Sequence, residues 1–158
     1  MDLEFKKISE ADYSQLIEFD TRYMILESPL TQDSAPPPLK IEEIVTAKNR
    51  RDDLFWIWSN EELVGYYWLE YREDCLFLSA IVVASSFRNK KIGHTIMKLM
   101  DDICDKRGIK KSALAVSPDN HPALFLYMKH GYEKKRLREN YFGPSYPGKN
   151  RFWFEKLH

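Results

Sequence analysis

The sequence predicts a mixed α/β domain (α+β type), a mostly antiparallel central sheet of about seven strands flanked by about four helices. Three observations carry this. Three runs of strand formers follow one another between Leu54 and Val83 with only short polar turns between them, the signature of an antiparallel meander. After Val83 the apolar period changes: Ile92, Ile96, Leu99, Met100 and Ile103 fall on one face of a helix. Beyond that helix, short apolar runs alternate with a second helical segment, and the order becomes β-α-α-β-β-β-α-β-α-β-β.

Each element has its own warrant. Leu3 to Ile8 is a short strand. Ser9 opens a helix, with Asp12 three residues on as a capping-box partner, and Ala11, Leu16, Ile17 and Met24 form its apolar positions. The stretch from Glu27 to Lys40 contains prolines 36–38, which neither a helix nor a central strand accepts. It is a solvated connector or a flap on the substrate side, since long loops in compact domains are often functional. Ile41, Ile44 and Val45 mark a second helix ending near Arg51. The strands are Leu54–Trp58, Leu63–Tyr71 and Cys75–Val83, separated by turns at 59–62 and 72–74. Gly108 ends the long helix, and Ser112–Val116 is a strand. Asn120 caps the last helix with Pro122 in its first turn; Leu124, Tyr127 and Met128 form its inner face, and Gly131 stops it. Tyr132–Arg138 and Phe152–Lys156 are the final strands, around a Gly/Pro-rich loop.

Composition narrows the function. At 158 residues the chain fits a single domain spanning 1–158. Lys plus Arg and Asp plus Glu number 24 each, so no net field favours nucleic acid or an acidic membrane. The run Glu133–Glu139 is locally basic, yet acids at both ends weaken it. Cys75 and Cys104 have no CxxC spacing and read as core thiols in a reducing, cytoplasmic setting. His94, His121, His130 and His158 have no metal-ligand spacing, so no metal is expected. No apolar run has signal-peptide or membrane-spanning character.

The stretch Ile81–His94, IVVASSFRNKKIGH, runs from strand through a polar, basic turn into a helix. Successive turn amides and a helix N-terminus make a donor array for phosphate. Arg88, Lys90 and Lys91 add positive charge; the alternative is a connector with solvated cations. Neither GxxxxGK[ST] nor GxGxxG is present. The segment resembles motif A of the GNAT N-acetyltransferases: a strand ending in valine, a short turn, an aromatic, then [RQ]-x-x-G-x-[GA]. Val83, Phe87, Arg88 and Gly93 match, and Lys91 stands where the family usually has its first glycine. If that position needs positive φ, Lys91 is costly there; if it is helical, Lys91 fits and can itself bind phosphate. Downstream, Asn120, Ala123, Tyr127, Gly131 and Tyr132 reproduce N-x-x-A-x-x-x-Y-x-x-x-G-[FY], which resembles motif B of the same family. The resemblance is strong from about Leu76 to Tyr132 and weaker before that.

The resemblance implies an N-acetyltransferase that moves an acetyl group from acetyl-CoA directly to an amine. It implies that Ile81, Val82 and Val83 line the pantetheine arm in a gap opposite Ser112–Val116. The amides of Asn89, Lys90, Lys91, Ile92, Gly93 and His94 would hold the diphosphate. Asn120 would bond to the pantetheine arm, with Ala123 beside it in the motif. An N–H near Val82 or Val83 would face the developing oxyanion, and Tyr127 would act as general acid at the sulfur. Without the motif, Tyr127 reads as a core aromatic at helical spacing.

The general base is not given by the motif. The strand Cys75–Val83 carries no acid; Glu70 and Glu73 are candidates acting through water, and otherwise they are solvated hairpin charges. Asn140 to Tyr146 resembles the tyrosine-bearing loop of protein N-terminal acetyltransferases, where aromatic rings grip a peptide; a plain covering hairpin is the other reading. The acceptor is therefore a small-molecule amine or a peptide N-terminus, and the protein a monomer or homodimer. The rival is an acyl-CoA-binding regulator on the same scaffold, without turnover.

Overall fold

The computed structural model describes residues 1–28 and 30–158. Seven strands form one sheet: β1 (Glu4–Lys7), β2 (Asp53–Ser59), β3 (Glu62–Tyr71), β4 (Leu76–Val83), β5 (Lys111–Val116), β6 (Glu133–Arg138) and β7 (Arg151–Leu157). Their spatial order is β1-β2-β3-β4-β5-β7-β6. All neighbours run antiparallel except β4 and β5, which are parallel. The helices are α1 (Tyr13–Asp20), α2 (Ile41–Arg50), α3 (Ile92–Arg107) and α4 (His121–Lys129).

Period-two alternation sorts the sheet's side chains onto two layers. Leu54, Trp56, Tyr66, Trp68 and Val82 face α1 and α2, meeting Tyr13, Leu16, Ile44 and Ala47. The intervening Ile57, Tyr67, Ile81 and Val83 face α3, against Ile92 and Ile96. Met97, Met100 and Cys104 of α3 continue that layer over Leu76, Leu78, Leu114 and Phe154, with α4 alongside. Each fully buried aliphatic side chain there contributes roughly 1.5–3 kcal/mol. On the opposite face of this half, Phe77, Ala113, Ala115 and Trp153 are covered by Tyr141 rather than by a helix.

Local chemistry sets the ends of the elements. Ser9 N–H donates to Asp12 Oδ2 (3.0 Å), so the expected capping partner starts a tight 3₁₀ turn, Glu10–Asp12, before α1. The helix then widens into π turns over Thr21–Leu26, with Asp20 at the junction. α2 ends where Arg51 turns left-handed (φ 64°), returning the Asp52 amide to Ala47 O at 2.9 Å. Asn60 and Glu61 both take positive φ in the β2–β3 turn, which matches the strand twist. Two expected core positions lie outside the core. Ala11 is exposed because the 3₁₀ opening shifts the helix phase, and Tyr13 is buried instead. Met128 is 60% exposed; α4 turns Ala123, Leu124, Leu126 and Tyr127 inward.

Candidate active site

The site grows from a defect in the sheet. β4 pairs with β5 only through Leu76, Phe77 and Leu78, opposite Ser112, Ala113 and Leu114. On its other side the β3 register slips between Trp68 and Leu69, leaving Ser79 as an extra residue in β4. Such a bulge bends its strand. From there β4 runs on to Val83 and β5 to Val116 without pairing, and a gap opens between them. The Ala84 amide donates to Val64 O at 2.9 Å, so Val82 and Ala84 turn their main-chain groups toward β3. Ile81 and Val83 therefore turn theirs into the gap. Gly65 makes close approach possible here: a β-carbon on it would lie 2.3 Å from Val82 O.

Two cavities meet at this gap. One, of about 540 Å3, is lined by Ile81, Val82, Val83, the turn Phe87–His94, Asn120, Ala123 and Tyr127. The turn is a strained, concave segment, with Asn89 at φ 62° and Lys91 at φ 64°. Lys91 thus takes the left-handed conformation, the costlier of the two alternatives open for that position. Among the described residues, no amide from Asn89 to His94 has a hydrogen-bond acceptor; the first paired N–H of α3 is that of Thr95, to Lys91 O at 3.2 Å. Successive free amides at a helix N-terminus bind anions.

Side chains around the turn hold it rather than fill it. Arg88 donates from Nε to Val83 O (3.2 Å) and from Nη2 to Tyr23 O (3.0 Å). Two of its donors tie the turn to the π segment, and Arg88 still lines the cavity with its charge. Ser85 Oγ donates to Glu27 Oε1 (2.7 Å), a second tie to the same segment. Asn120 Oδ1 accepts from the Ala123 amide at 3.3 Å as the α4 cap, which leaves its NH2 for the cavity. His94 Nδ1 and His130 Nε2 lie 2.7 Å apart. Burial and the surrounding lysines hold His94 below its ordinary value; burial and His94 do the same for His130.

The second cavity, of about 490 Å3, lies on the α1/α2 face and shares Ile81, Asn120 and Tyr127 with the first. Its walls include Asp20, Glu43, Tyr66 and Trp68 at one end, and Glu70, Arg72, Tyr141 and Arg151 toward the other. Residues 36–40 form one side, so the proline stretch is a cavity wall. It is clasped to the β6–β7 side: Lys149 Nζ donates to Gln32 O and Asp33 O (3.1 Å each), and Arg151 Nη2 to Ser34 O at 2.6 Å. Tyr127 makes no hydrogen bond among the described residues, and its hydroxyl is not sealed in the core. Burial pushes its phenol up to about 12.

The two acids considered as bases part ways. Glu70 lines the second cavity but sits 3.3 Å from Arg72 Nε and 3.6 Å from Arg50 Nη2. Its carboxylate is thus shared between two guanidinium groups, one of them on another element. Glu73 is exposed on the β3–β4 turn and lines neither cavity. Sequence reasoning passed over Asp20, which is 7% exposed, lines the second cavity and accepts from Tyr66 Oη at 2.5 Å. Burial raises it to about 6, against the lowering effect of the Tyr66 hydrogen bond. The signal was available: Tyr13, Leu16, Ile17, Asp20 and Met24 share helical spacing, so an acid stands in an apolar stripe. Among the described residues no group of three or more metal-ligating side chains occurs, and no helix is long and apolar enough to cross a membrane.

Comparison with known proteins agrees with this architecture. The family model described as "Acetyltransferase (GNAT) family" matches residues 15–132. A spermidine N(1)-acetyltransferase of Thermoplasma acidophilum is 25% identical over 147 residues, covering 84% of this chain and 89% of the relative. In structure, the ribosomal-protein-S18-alanine N-acetyltransferase of Escherichia coli superposes with a TM-score of 0.78 at 16% identity, over 99% of this chain and 94% of that one. A GNAT family acetyltransferase of Elizabethkingia anophelis, solved with acetyl-CoA bound, gives 0.70 at 17% identity over 99% and 98%. The chain spans about half the length, or less, of other curated relatives it matches, 53% of one and 28% of another. With the family match covering most of the chain, and these structures superposing over nearly all of it, this protein belongs to the GNAT acetyltransferase family.

Proposed function

We propose that the protein is an N-acetyltransferase that takes an acetyl group from acetyl-CoA and delivers it directly to an amine. The observation that carries this reading is the row of six acceptor-free amides, Asn89 to His94, facing a cavity that continues into the β4–β5 gap. That row suits a diphosphate, and the gap suits a narrow arm whose amides can satisfy the free main-chain groups of Ile81 and the Val83 N–H, the Val83 carbonyl being held by Arg88. Acetyl-CoA supplies an activated thioester carbonyl when bound.

In this reading the Val83 N–H stabilises negative charge on the carbonyl oxygen, since alternation along β4 turns Val83 rather than Val82 toward the gap. The Asn120 NH2 and the Ala123 edge of α4 steady the arm. Tyr127 stays protonated at working pH and donates toward the departing sulfur. Outright transfer from a phenol near 12 to a thiolate of ordinary basicity, about 8.5, is uphill by roughly 5 kcal/mol. The phenol therefore serves as hydrogen-bond donor and relay, while the proton that ends on sulfur comes from the attacking nitrogen. The buried thiols Cys75 and Cys104 fit a reducing, cytoplasmic setting and sit in apolar surroundings that raise both.

The test mixes purified protein with acetyl-CoA and a panel of amines, reading thiol release, with acetyl-CoA binding measured by calorimetry. Saturable binding with amine-dependent release is the expected result. Binding without release toward any amine would identify an acyl-CoA-binding regulator instead. No binding would remove both.

A further inference from the structure

We propose that Asp20 docks the acceptor as a primary ammonium ion and takes its proton, making Asp20 a catalytic residue of the acyl transfer. The inference rests on the acetyl-transfer reading above and names the acceptor side of the same site.

The argument begins with an imbalance of charge. Asp20 is over nine-tenths buried at the α1–π junction, and its partners are the Tyr66 hydroxyl, 2.5 Å from Oδ1, and the main chain at Leu39. Among the described residues no lysine, arginine or histidine pairs with it. Three other covered carboxylates are paired with cations: Asp52 lies 2.7 Å from Arg50, Glu70 lies between Arg50 and Arg72, and Asp101 lies 3.0 Å from Lys156. Asp53, which accepts from the Tyr71 hydroxyl, and Asp12 have no cation among the described residues but are only partly buried. A buried carboxylate without a counter-cation is costly unless something arrives to match it. Asp20 faces a cavity, so the missing cation can be a ligand.

The surroundings specify that ligand. Glu43 adds a second acid to the same wall, while Tyr66, Trp68 and prolines 36–38 supply apolar surface. An alkylammonium, charged at its tip and apolar along its stem, satisfies both. The titratable groups lining the same cavity are Tyr66 and Glu70 from β3, Arg72 just after it, Glu43 from α2 and Lys40 just before it, Tyr127 from α4, Arg151 from β7, and Tyr141 and Tyr146 from the preceding loop. Lys40 is exposed and the Glu70–Arg72 pair is self-neutralised, so Glu43 and the Tyr66 hydroxyl are what tune the carboxylate.

The chemistry needs such a group. A primary amine reaches the site as an ammonium ion and cannot attack until one proton leaves. Asp20 accepts that proton, giving a neutral acid and a free amine. The nitrogen lone pair forms the C–N bond at the thioester carbonyl, the C–S bond breaks, and the second nitrogen proton goes to sulfur by way of Tyr127. The proton on Asp20 passes to water when the amide leaves. The sum is ammonium plus acetyl-CoA giving N-acetyl amine, CoA thiol and one proton. A carboxylate raised by burial is a better base for this step than an ordinary one.

The test compares wild type with Asp20→Asn, Tyr66→Phe and the exposed control Glu73→Gln. Thiol release is measured with n-butylamine, spermidine and a short free-N-terminus peptide from pH 5 to 9, and acetyl-CoA binding by calorimetry. Asp20→Asn is expected to cut kcat/KM for the amine by about 100-fold while acetyl-CoA affinity stays within about twofold. The acidic limb of the wild-type profile should vanish with it. Tyr66→Phe should move that limb to higher pH, because the hydroxyl that favours the anion is gone. Asp20→Asn retaining kcat/KM within about threefold and the same limb would overturn the proposal while leaving acetyl transfer intact. If Asp20→Asn does not fold, an unmoved limb in Tyr66→Phe overturns it. Wild type that binds acetyl-CoA yet acetylates none of the amines would instead remove the acetyl-transfer reading.

Discussion

The hydroxyl of Tyr66 lies 2.5 Å from Asp20 Oδ1 inside the layer between the sheet and α1/α2. This contact softens, without removing, the cost of a buried charge, because Asp20 still titrates near 6 instead of 3.8. A carboxyl raised on folding favours the folded state below about pH 4, and that contribution is lost as pH rises through about 6. The difference corresponds to about 3 kcal/mol. Asp20→Asn keeps an acceptor for Tyr66 but cannot ionise. It is expected to be more stable than wild type at pH 8, by up to that amount, with the advantage shrinking to nothing near pH 4. Thermal melts at the two pH values check this, and equal melting temperatures at pH 8 would contradict it. A residue whose neutralisation stabilises the protein is one kept for another reason.

Tyr127 gives a contrasting case. Among the described residues its hydroxyl has no hydrogen-bond partner, so Tyr127→Phe should leave stability within about 0.5 kcal/mol. Turnover should fall by about 100-fold with acetyl-CoA affinity unchanged. Because the phenol titrates near 12, wild-type kcat should show no alkaline decline from this group below about pH 11. Unchanged turnover in Tyr127→Phe would remove the phenol from the mechanism.

Lys91 tests whether backbone or side chain does the gripping. Its φ of 64° costs an L-residue about 1–2 kcal/mol, and glycine returns part of that as unfolded-state entropy. Lys91→Gly is expected to gain about 0.5 kcal/mol, a rise in melting temperature of about 1–2 °C. If the six free amides hold the diphosphate, acetyl-CoA affinity should stay within about threefold, with a slightly weaker salt dependence. A loss beyond tenfold, steep in salt, would assign the grip to the lysine ammonium instead.

These residues also mark how far the chain could be read before folding. The meander, the switch of period at Ile92 and the caps at Asn120 and Gly108 are local devices, and local devices are legible. The motif residues Val83, Gly93, Asn120 and Tyr127 were legible through their resemblance to the GNAT motifs, and they line one cavity. The bulge at Ser79 and the gap it opens depend on register against β3, which no single strand encodes. The carbonyl partners of Arg88, one of them Tyr23 O, are set by the fold and not by neighbours in sequence. Glu70 looked free for the same reason: Arg50, on another element, completes its pairing. Asp20 was hidden differently, since one acid in an apolar stripe reads as a helix edge until its burial is known.

The two glycines at the site make the last comparison. A β-carbon at Gly65 would sit 2.3 Å from Val82 O, and one at Gly93 would sit 2.6 Å from Leu126 Cδ2. The distances are similar, but the obstacles are not. Val82 O belongs to the β4 backbone within the β3–β4 ladder, so relief requires moving one strand against the other. Leu126 Cδ2 is the end of a flexible side chain on α4, and a rotamer change clears it. Gly65→Ala should therefore cost about 3 kcal/mol and weaken acetyl-CoA binding as the β4 edge of the gap shifts. Gly93→Ala should stay within about 1 kcal/mol of wild type, because helix propensity returns much of the repacking cost. Denaturant melts of the two variants decide it: equal destabilisation would mean that β4 yields as easily as a leucine tip, and the gap would then be a soft feature of the sheet.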